Sequence, residues 1–235
     1  MSTFCGLWIG RPLSKIEVMS LLSYKNHGHD IYLFTYDKVK NVPNGIEIVD
    51  GNEIISKDKI FSYDNSYSNF SDIFRYAVMQ KRGFFWTDLD SICVSNNWSF
   101  RDEYVFGVND KYNLEEYVCT SNFKLPQQSE ILDYLVKKSQ NFEKSDSWAP
   151  AGPKLLTEAV FKYELKNKIL PPEAFSPIHF TKWHDFWNPE KVQEVRERVS
   201  RSYSFQLWNQ MINRSQIDRD IFPNGSYLHN LYKNM

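Results

Sequence analysis

The chain has 235 residues, with 28 basic residues against 29 acidic ones and a net charge of −1, so its length predicts one α/β unit and no global field draws nucleic acid to its surface. Apolar residues make up 42% of it, including 17 Phe, 14 Tyr and 7 Trp, which suffices for a core without crosslinks. No apolar run approaches the roughly 20 residues that cross a bilayer, and Arg11, Lys15, Glu17 and Asp30 fall where a signal peptide is continuously apolar. A cytoplasmic protein without a membrane span is therefore expected. Cys5, Cys93 and Cys119 show no C-x-x-C spacing and lie in apolar stretches, where free cysteine acts as a small hydrophobe and a reducing compartment fits.

The first half alternates between strand and helix patterns. Phe4 to Gly10 is an apolar run ending in Gly, Ser14 caps a helix running to about Asn26, and Ile31 to Tyr36 is a second strand. Ile46 to Val49 predicts a third strand, and Lys57 to Phe70 predicts a loop. Ser71 stands as the N-cap of a helix from Asp72 to Arg82, with Gly83 as its stop. Phe84 to Leu89 is an aromatic strand that runs into Asp88 and Asp90. Tyr104 to Val108 and Tyr117 to Asn122 predict strands, and Ser129 to Gln140 and Pro153 to Tyr163 predict helices. No internal repeat or linker divides the chain, so residues 1–235 are expected to form one domain, with 1–95 ending in a D-x-D segment and 96–235 following it.

A D-x-D pair arises readily by chance, and the chain holds two. Asp218 and Asp220 sit beside Pro223-Asn224-Gly225, where a solvated turn is expected. Asp88 and Asp90 end an apolar strand. Alternate strand residues share a face, and open α/β sheets bind ligands at the carboxyl ends of their strands. Two exposed carboxylates there repel one another, and Mg²⁺ or Mn²⁺ bridging to substrate phosphate offsets that repulsion. On the preceding helix Asp72 and Arg75 are three residues apart and share a face. Either they pair with each other, or Asp72 accepts sugar hydroxyls while Arg75 donates to hydroxyl or phosphate oxygens.

The run Ser71-Asp72-x-x-Arg75-Tyr76, Gly83, an aromatic strand and Asp88-x-Asp90 resembles the DXD sugar-transferase family, which includes yeast-type outer-chain mannosyltransferases and, distantly, clostridial toxin glucosyltransferase domains. Leu7-Trp8-Ile9-Gly10, Pro12-Leu13-Ser14, Gly28-His29, Gly152-Pro153-Lys154 and Leu207-Trp208-Asn209 agree with it. The resemblance implies a GT-A fold with a Rossmann-like mixed sheet flanked by helices. It implies a nucleotide-sugar donor, UDP favoured over GDP, and Mn²⁺ or Mg²⁺ held by Asp88 and Asp90. It places Trp8 and Ile9 at the base, adds Leu89, Gly152 and Lys154 to the donor site, and makes Asp72, Arg75 and Asp88 catalytic. Many relatives carry His where this chain has Gln206, so Gln206 or Asn209 is left to offer an amide oxygen to the metal.

The expected function is transfer of a hexose from such a donor to a hydroxyl of a sugar or glycan acceptor. Two alternatives compete with it. A haloacid-dehalogenase-like phosphatase also uses D-x-D after a strand, but its motif follows the first strand and here about 85 residues precede it. A non-catalytic sugar-binding module is the other, since Trp183, Phe186 and Trp187 suit sugar faces, although such aromatics are also ordinary core. His27-x-His29 lacks a third ligand and fits a helix C-terminus better than a metal site, and His179 and His184 stand near no recognisable nucleophile.

Overall fold

The computed structural model describes residues 1–109, 118–142 and 150–235. The chain opens with β1 (Thr3–Trp8), α1 (Lys15–Asn26), β2 (Asp30–Thr35) and β3 (Glu47–Asp50), and continues through α2 (Ser68–Arg82), β4 (Phe85–Thr87), β5 (Ser91–Cys93), β6 (Phe106–Gly107) and β7 (Asn122–Phe123). Then follow α3 (Glu130–Ser139), α4 (Pro153–Lys162), β8 (Ile169–Leu170), a short helical stretch Phe180–Trp187, α5 (Val192–Val199), β9 (Ser204–Gln206), α6 (Asn209–Ser215) and α7 (Tyr227–Lys233).

Five strands form the main sheet in the order β3-β2-β1-β4-β7. Its first four strands are parallel and β7 is antiparallel. Burial on both faces explains the parallel arrangement: Phe4, Leu33 and Phe85 enter one core, packed with Leu21, Tyr24 and Trp98, while Cys5, Phe34 and Trp86 enter the other, packed with Phe74 and Leu132. A third core joins Ile16, Met19 and Ile92 to Phe186, Trp187 and Phe205. Phe186 and Trp187 are thus core residues. The architecture is the expected mixed α/β sheet flanked by helices, accompanied by two two-stranded sheets, β5-β9 and β6-β8. The chain order turns around between β1 and β4, and such a switch point opens a crevice at the strands' carboxyl ends.

The predicted β-α-β opening is present, and Glu17 reaches back to accept from the Ser14 backbone N–H and hydroxyl at 2.7 and 2.6 Å. Two predicted boundaries move. The helix α2 starts at Ser68, one turn before Ser71, because Phe70 is buried against Tyr36, Phe61 and Phe74 and draws that turn into the core. Its stop at Gly83 is as predicted, with a left-handed φ of 68°. The aromatic strand is shorter than its apolar run suggests. β4 ends at Thr87, and Asp88 and Asp90 stand in a turn closed by Ser91 N–H on the Asp88 carbonyl at 3.0 Å. Tyr117 lies outside the described residues, and downstream of it the predicted strand is reduced to a Val108–Val118 bridge and β7.

The turn is fixed by Leu89. Its side chain is buried over Gly6 of β1, where an added Cβ stands 2.7 Å from Leu89 Cδ2 and 3.0 Å from the Thr87 carbonyl oxygen. Gly6→Ala is therefore expected to lower unfolding free energy by about 1–3 kcal/mol, the range for overpacking a filled core, measured by urea denaturation. An unchanged midpoint would show that the turn yields freely.

Candidate active site

A cavity of about 950 Å³ opens at the switch point, bordered by Leu7 to Arg11 after β1, by Asp72 and Arg75 of α2, by Thr87 to Asp90, and by Gln206, Trp208 and Asn209. Trp8 and Ile9, expected at the base, stand on its wall. The Trp8 indole N–H donates to the Arg11 carbonyl at 2.7 Å, and the Arg11 guanidinium lies 5.8 Å from the ring.

Arg75 is the pivot of the cavity floor. Its guanidinium is 3.1 Å from Asp72 Oδ1 and 3.3 Å from Asp88 Oδ1, and only 4% of the residue is exposed. It also donates to the Thr120 carbonyl at 2.8 Å and to the Ser71 carbonyl and hydroxyl at 3.3 and 3.2 Å, and it lies 5.1 Å from the Trp86 ring. The predicted role of Arg75 as a donor to substrate is thereby revised, because its donors are spent on the protein and at most one N–H remains among the described contacts. Trp86, which the sequence presented only as a strand residue, donates its indole N–H to Asp88 Oδ1 at 2.8 Å.

Asp90 is buried, which corrects the expectation of an exposed strand-end carboxylate. Its Oδ2 accepts the Asn209 backbone N–H at 2.6 Å, and its carbonyl accepts Leu207 N–H at 2.8 Å. Leu207-Trp208-Asn209 thus folds directly onto the acidic turn. The Asn209 amide oxygen is engaged by Arg219, which leaves Gln206 of the two expected amides. Arg219 was missed: it lies between Asp218 and Asp220, which are exposed as predicted. That exposed D-R-D setting gave no sign that its middle residue turns inward.

Two expected donor residues sit elsewhere. Lys154 is exposed and does not border the cavity, where its neighbour Pro153 does. Gly152 backs Asp72: an added Cβ there stands 2.5 Å from Asp72 Oδ2, so any side chain would displace the carboxylate. Leu89 borders the cavity with its side chain in the core.

The electrostatics follow from burial. Desolvation pushes Asp72 up to about 6, partly offset by Arg75. Asp88 is raised by burial and pulled back by Arg75 and Trp86. Burial and then the neighbouring Asp88 charge push Asp90 up to about 7. Among the described residues Asp72 Oδ2 is buried without a hydrogen-bond partner.

This donor set fits a hard divalent ion. The protein's hydrogen bonds take Oδ1 of Asp88 and Oδ2 of Asp90, and none among the described residues takes their other oxygens. Among the described residues no group of three or more His, Cys, Asp or Glu could hold a metal ion by itself.

A sheet in this order, with an acidic crevice at its switch point, defines a GT-A-type α/β protein. Comparisons with known proteins specify the class further. Residues 125–234 match the family described as the alpha 1,4-glycosyltransferase conserved region. The lactosylceramide 4-alpha-galactosyltransferase of Rattus norvegicus is 26% identical over 151 residues, covering 59% of this chain and 40% of the rat protein. That of Homo sapiens is 25% identical over 150 residues, covering 59% and 41%. The chain spans about two-fifths of the length of these relatives. Its fold is similar to that of the PaToxG glycosyltransferase, with a TM-score of 0.50 at 16% identity over 84% of this chain and 78% of that one. The family model, the curated relatives and the solved structure are all glycosyltransferases. No described helix is long and apolar enough to cross a membrane.

Because burial raises Asp72 to about 6 from the ordinary 3.8, its contribution to stability is full below the lower value and is lost as pH rises through the upper one. Asp72→Asn removes that dependence. The stability difference, mutant minus wild type, is expected to shift in the mutant's favour by up to about 3 kcal/mol between about pH 4 and pH 7.5, measured by denaturation at each pH. A difference flat with pH would show that Asp72 titrates normally.

Proposed function

We propose that the chain transfers a hexose from a nucleotide-sugar, a UDP-sugar favoured, to a hydroxyl of a sugar or glycan acceptor, with a divalent cation at Asp88 and Asp90. One observation carries this reading: Asp72, Arg75, Asp88 and Asp90 converge on one cavity at the sheet's switch point. The names of the relatives make UDP-galactose the first donor to test and a galactose-terminated glycan the first acceptor.

Mn²⁺ or Mg²⁺, held by Asp88 and Asp90 with Gln206 at hand, would supply Lewis-acid stabilisation of the charge that develops on the leaving diphosphate. Arg75 keeps Asp72 and Asp88 at a fixed separation, so neither carboxylate reorganises during the reaction. Asp72 presents a buried, unpartnered oxygen that accepts a sugar hydroxyl and orients the donor ring. Trp8 offers a planar face to the base. A phosphatase reading is not favoured, since the comparisons point to glycosyltransferases and Asp88 is committed to Arg75 and Trp86.

Two substitutions divide these roles. Asp90→Asn preserves the shape that accepts Asn209 N–H and is expected to abolish Mn²⁺-dependent UDP binding in calorimetry; unchanged affinity would sink the cation assignment. Asp72→Asn is expected to leave UDP affinity within a few-fold and to lower donor turnover by roughly 10²-fold, the loss typical of a positioned charged hydrogen bond. UDP release from UDP-galactose is the assay. Donor binding with no turnover on any acceptor or water would favour a binding module instead.

A further inference from the structure

Arg219, flanked by two exposed aspartates, contacts four residues through its side chain. Its Nη2 pairs with Glu17 of α1, its Nε donates to the Ser14 hydroxyl at 3.2 Å, and its Nη1 donates to the Asn209 amide oxygen and to Asn213 Oδ1, the latter at 2.9 Å. The Arg219 side chain is 11% exposed and Glu17 is fully buried. One guanidinium therefore ties the first helix of the sheet domain to α6 near the end of the chain.

That tie ends on the acidic turn. Asn209, whose side chain Arg219 grips, gives its backbone N–H to Asp90 Oδ2 at 2.6 Å. The residue before it, Trp208, adopts a left-handed φ of 61°, a conformation that is costly for a residue with a Cβ and persists only where its surroundings hold it. Two anchors hold it here: the Trp208 indole N–H on the Ile178 carbonyl at 2.9 Å, and Arg219 on Asn209.

Resting on the proposed cation at Asp88 and Asp90, we infer that Arg219 is a positioning residue for that cation site. It holds Asn209 N–H on Asp90 and so fixes the rotamer in which Asp90 turns its other oxygen to the ion. Partners that orient a ligating carboxylate typically change metal affinity by about 10–100-fold when altered. Lysine keeps the charge but is a single point donor, and it cannot replace a planar fork that spans Glu17, Ser14, Asn209 and Asn213.

The test uses the full chain with Arg219→Lys, and with Glu17→Gln as the second variant, which loosens the far end of the fork and touches no cavity residue. Two measurements are made: Mn²⁺ affinity in the presence of UDP, and hydrogen exchange at the Leu207 and Asn209 amides without metal. Expected are Mn²⁺ binding weakened by about 10-fold or more and faster exchange at those two amides, with exchange in β1 and β2 unchanged. Wild-type Mn²⁺ affinity in a folded variant would overturn the proposal, as would unchanged exchange at Asn209. Should Arg219→Lys fail to fold, Glu17→Gln carries both measurements with the same expected directions. If the wild-type chain itself binds no Mn²⁺ with UDP, the function proposed above falls, and the exchange arm still decides whether Arg219 holds the Asp90 contact.

Discussion

A single guanidinium, buried between two carboxylates, is the constraint on which this site depends. Arg75 faces Asp72 at 3.1 Å and Asp88 at 3.3 Å, and removing such a charge from water is costly unless partners surround it. The protein surrounds it fully, with the Thr120 carbonyl, both Ser71 oxygens and the Trp86 face. The arrangement still leaves acid in excess. Asp72, Asp88, Asp90 and Glu17 confront Arg75 and Arg219, and the upward shifts of Asp72 and Asp90 come first from burial and then from the neighbouring Asp88 charge.

The fold delivers those groups from distant parts of the chain. β1 and β4 are adjacent in the sheet, so the chain leaving each at its carboxyl end borders the same crevice. Gly6 lets Leu89 lie across β1, and this bend, rather than strand alternation, puts Asp88 and Asp90 together. From the other half of the chain, β9 pairs with β5 and brings Gln206 to Asn209 against the turn. The family match over residues 125–234 includes that segment and Arg219 but not the acidic turn. The two halves of the site therefore come from distant parts of the chain that the fold brings together.

Much of this was legible in the sequence where the signal is local. Ser14 with Glu17, and Gly83 after a basic last turn, are short-range chemistry that fixed α1 and the end of α2. Asp72, Arg75, Asp88 and Asp90 carried a recognisable spacing, and all of them reach the cavity. What was hidden depends on contacts between residues far apart in the chain. Burial of Phe70 adds a turn to α2 that capping rules do not foresee, and packing of Leu89 ends β4 where hydrophobicity continues. Asp90 looked like an exposed end because its partner, Asn209, is 119 positions away. Arg219 looked solvated between two aspartates because its carboxylate, Glu17, belongs to the first helix. Lys154 adjoined a segment typical of the family, yet helix periodicity turns it outward and leaves Pro153 at the cavity.

The central claim is that the acidic turn, held by Arg75 and by Asn209, is a cation site facing a nucleotide diphosphate. Anomalous diffraction from crystals grown with Mn²⁺ and UDP tests it most directly. The account predicts one strong manganese peak within coordinating distance, about 2.0–2.3 Å, of oxygens from both Asp88 and Asp90, with Arg75 still bridging Asp72 and Asp88. A peak elsewhere, or UDP bound in this cavity with no manganese at the turn, would contradict it.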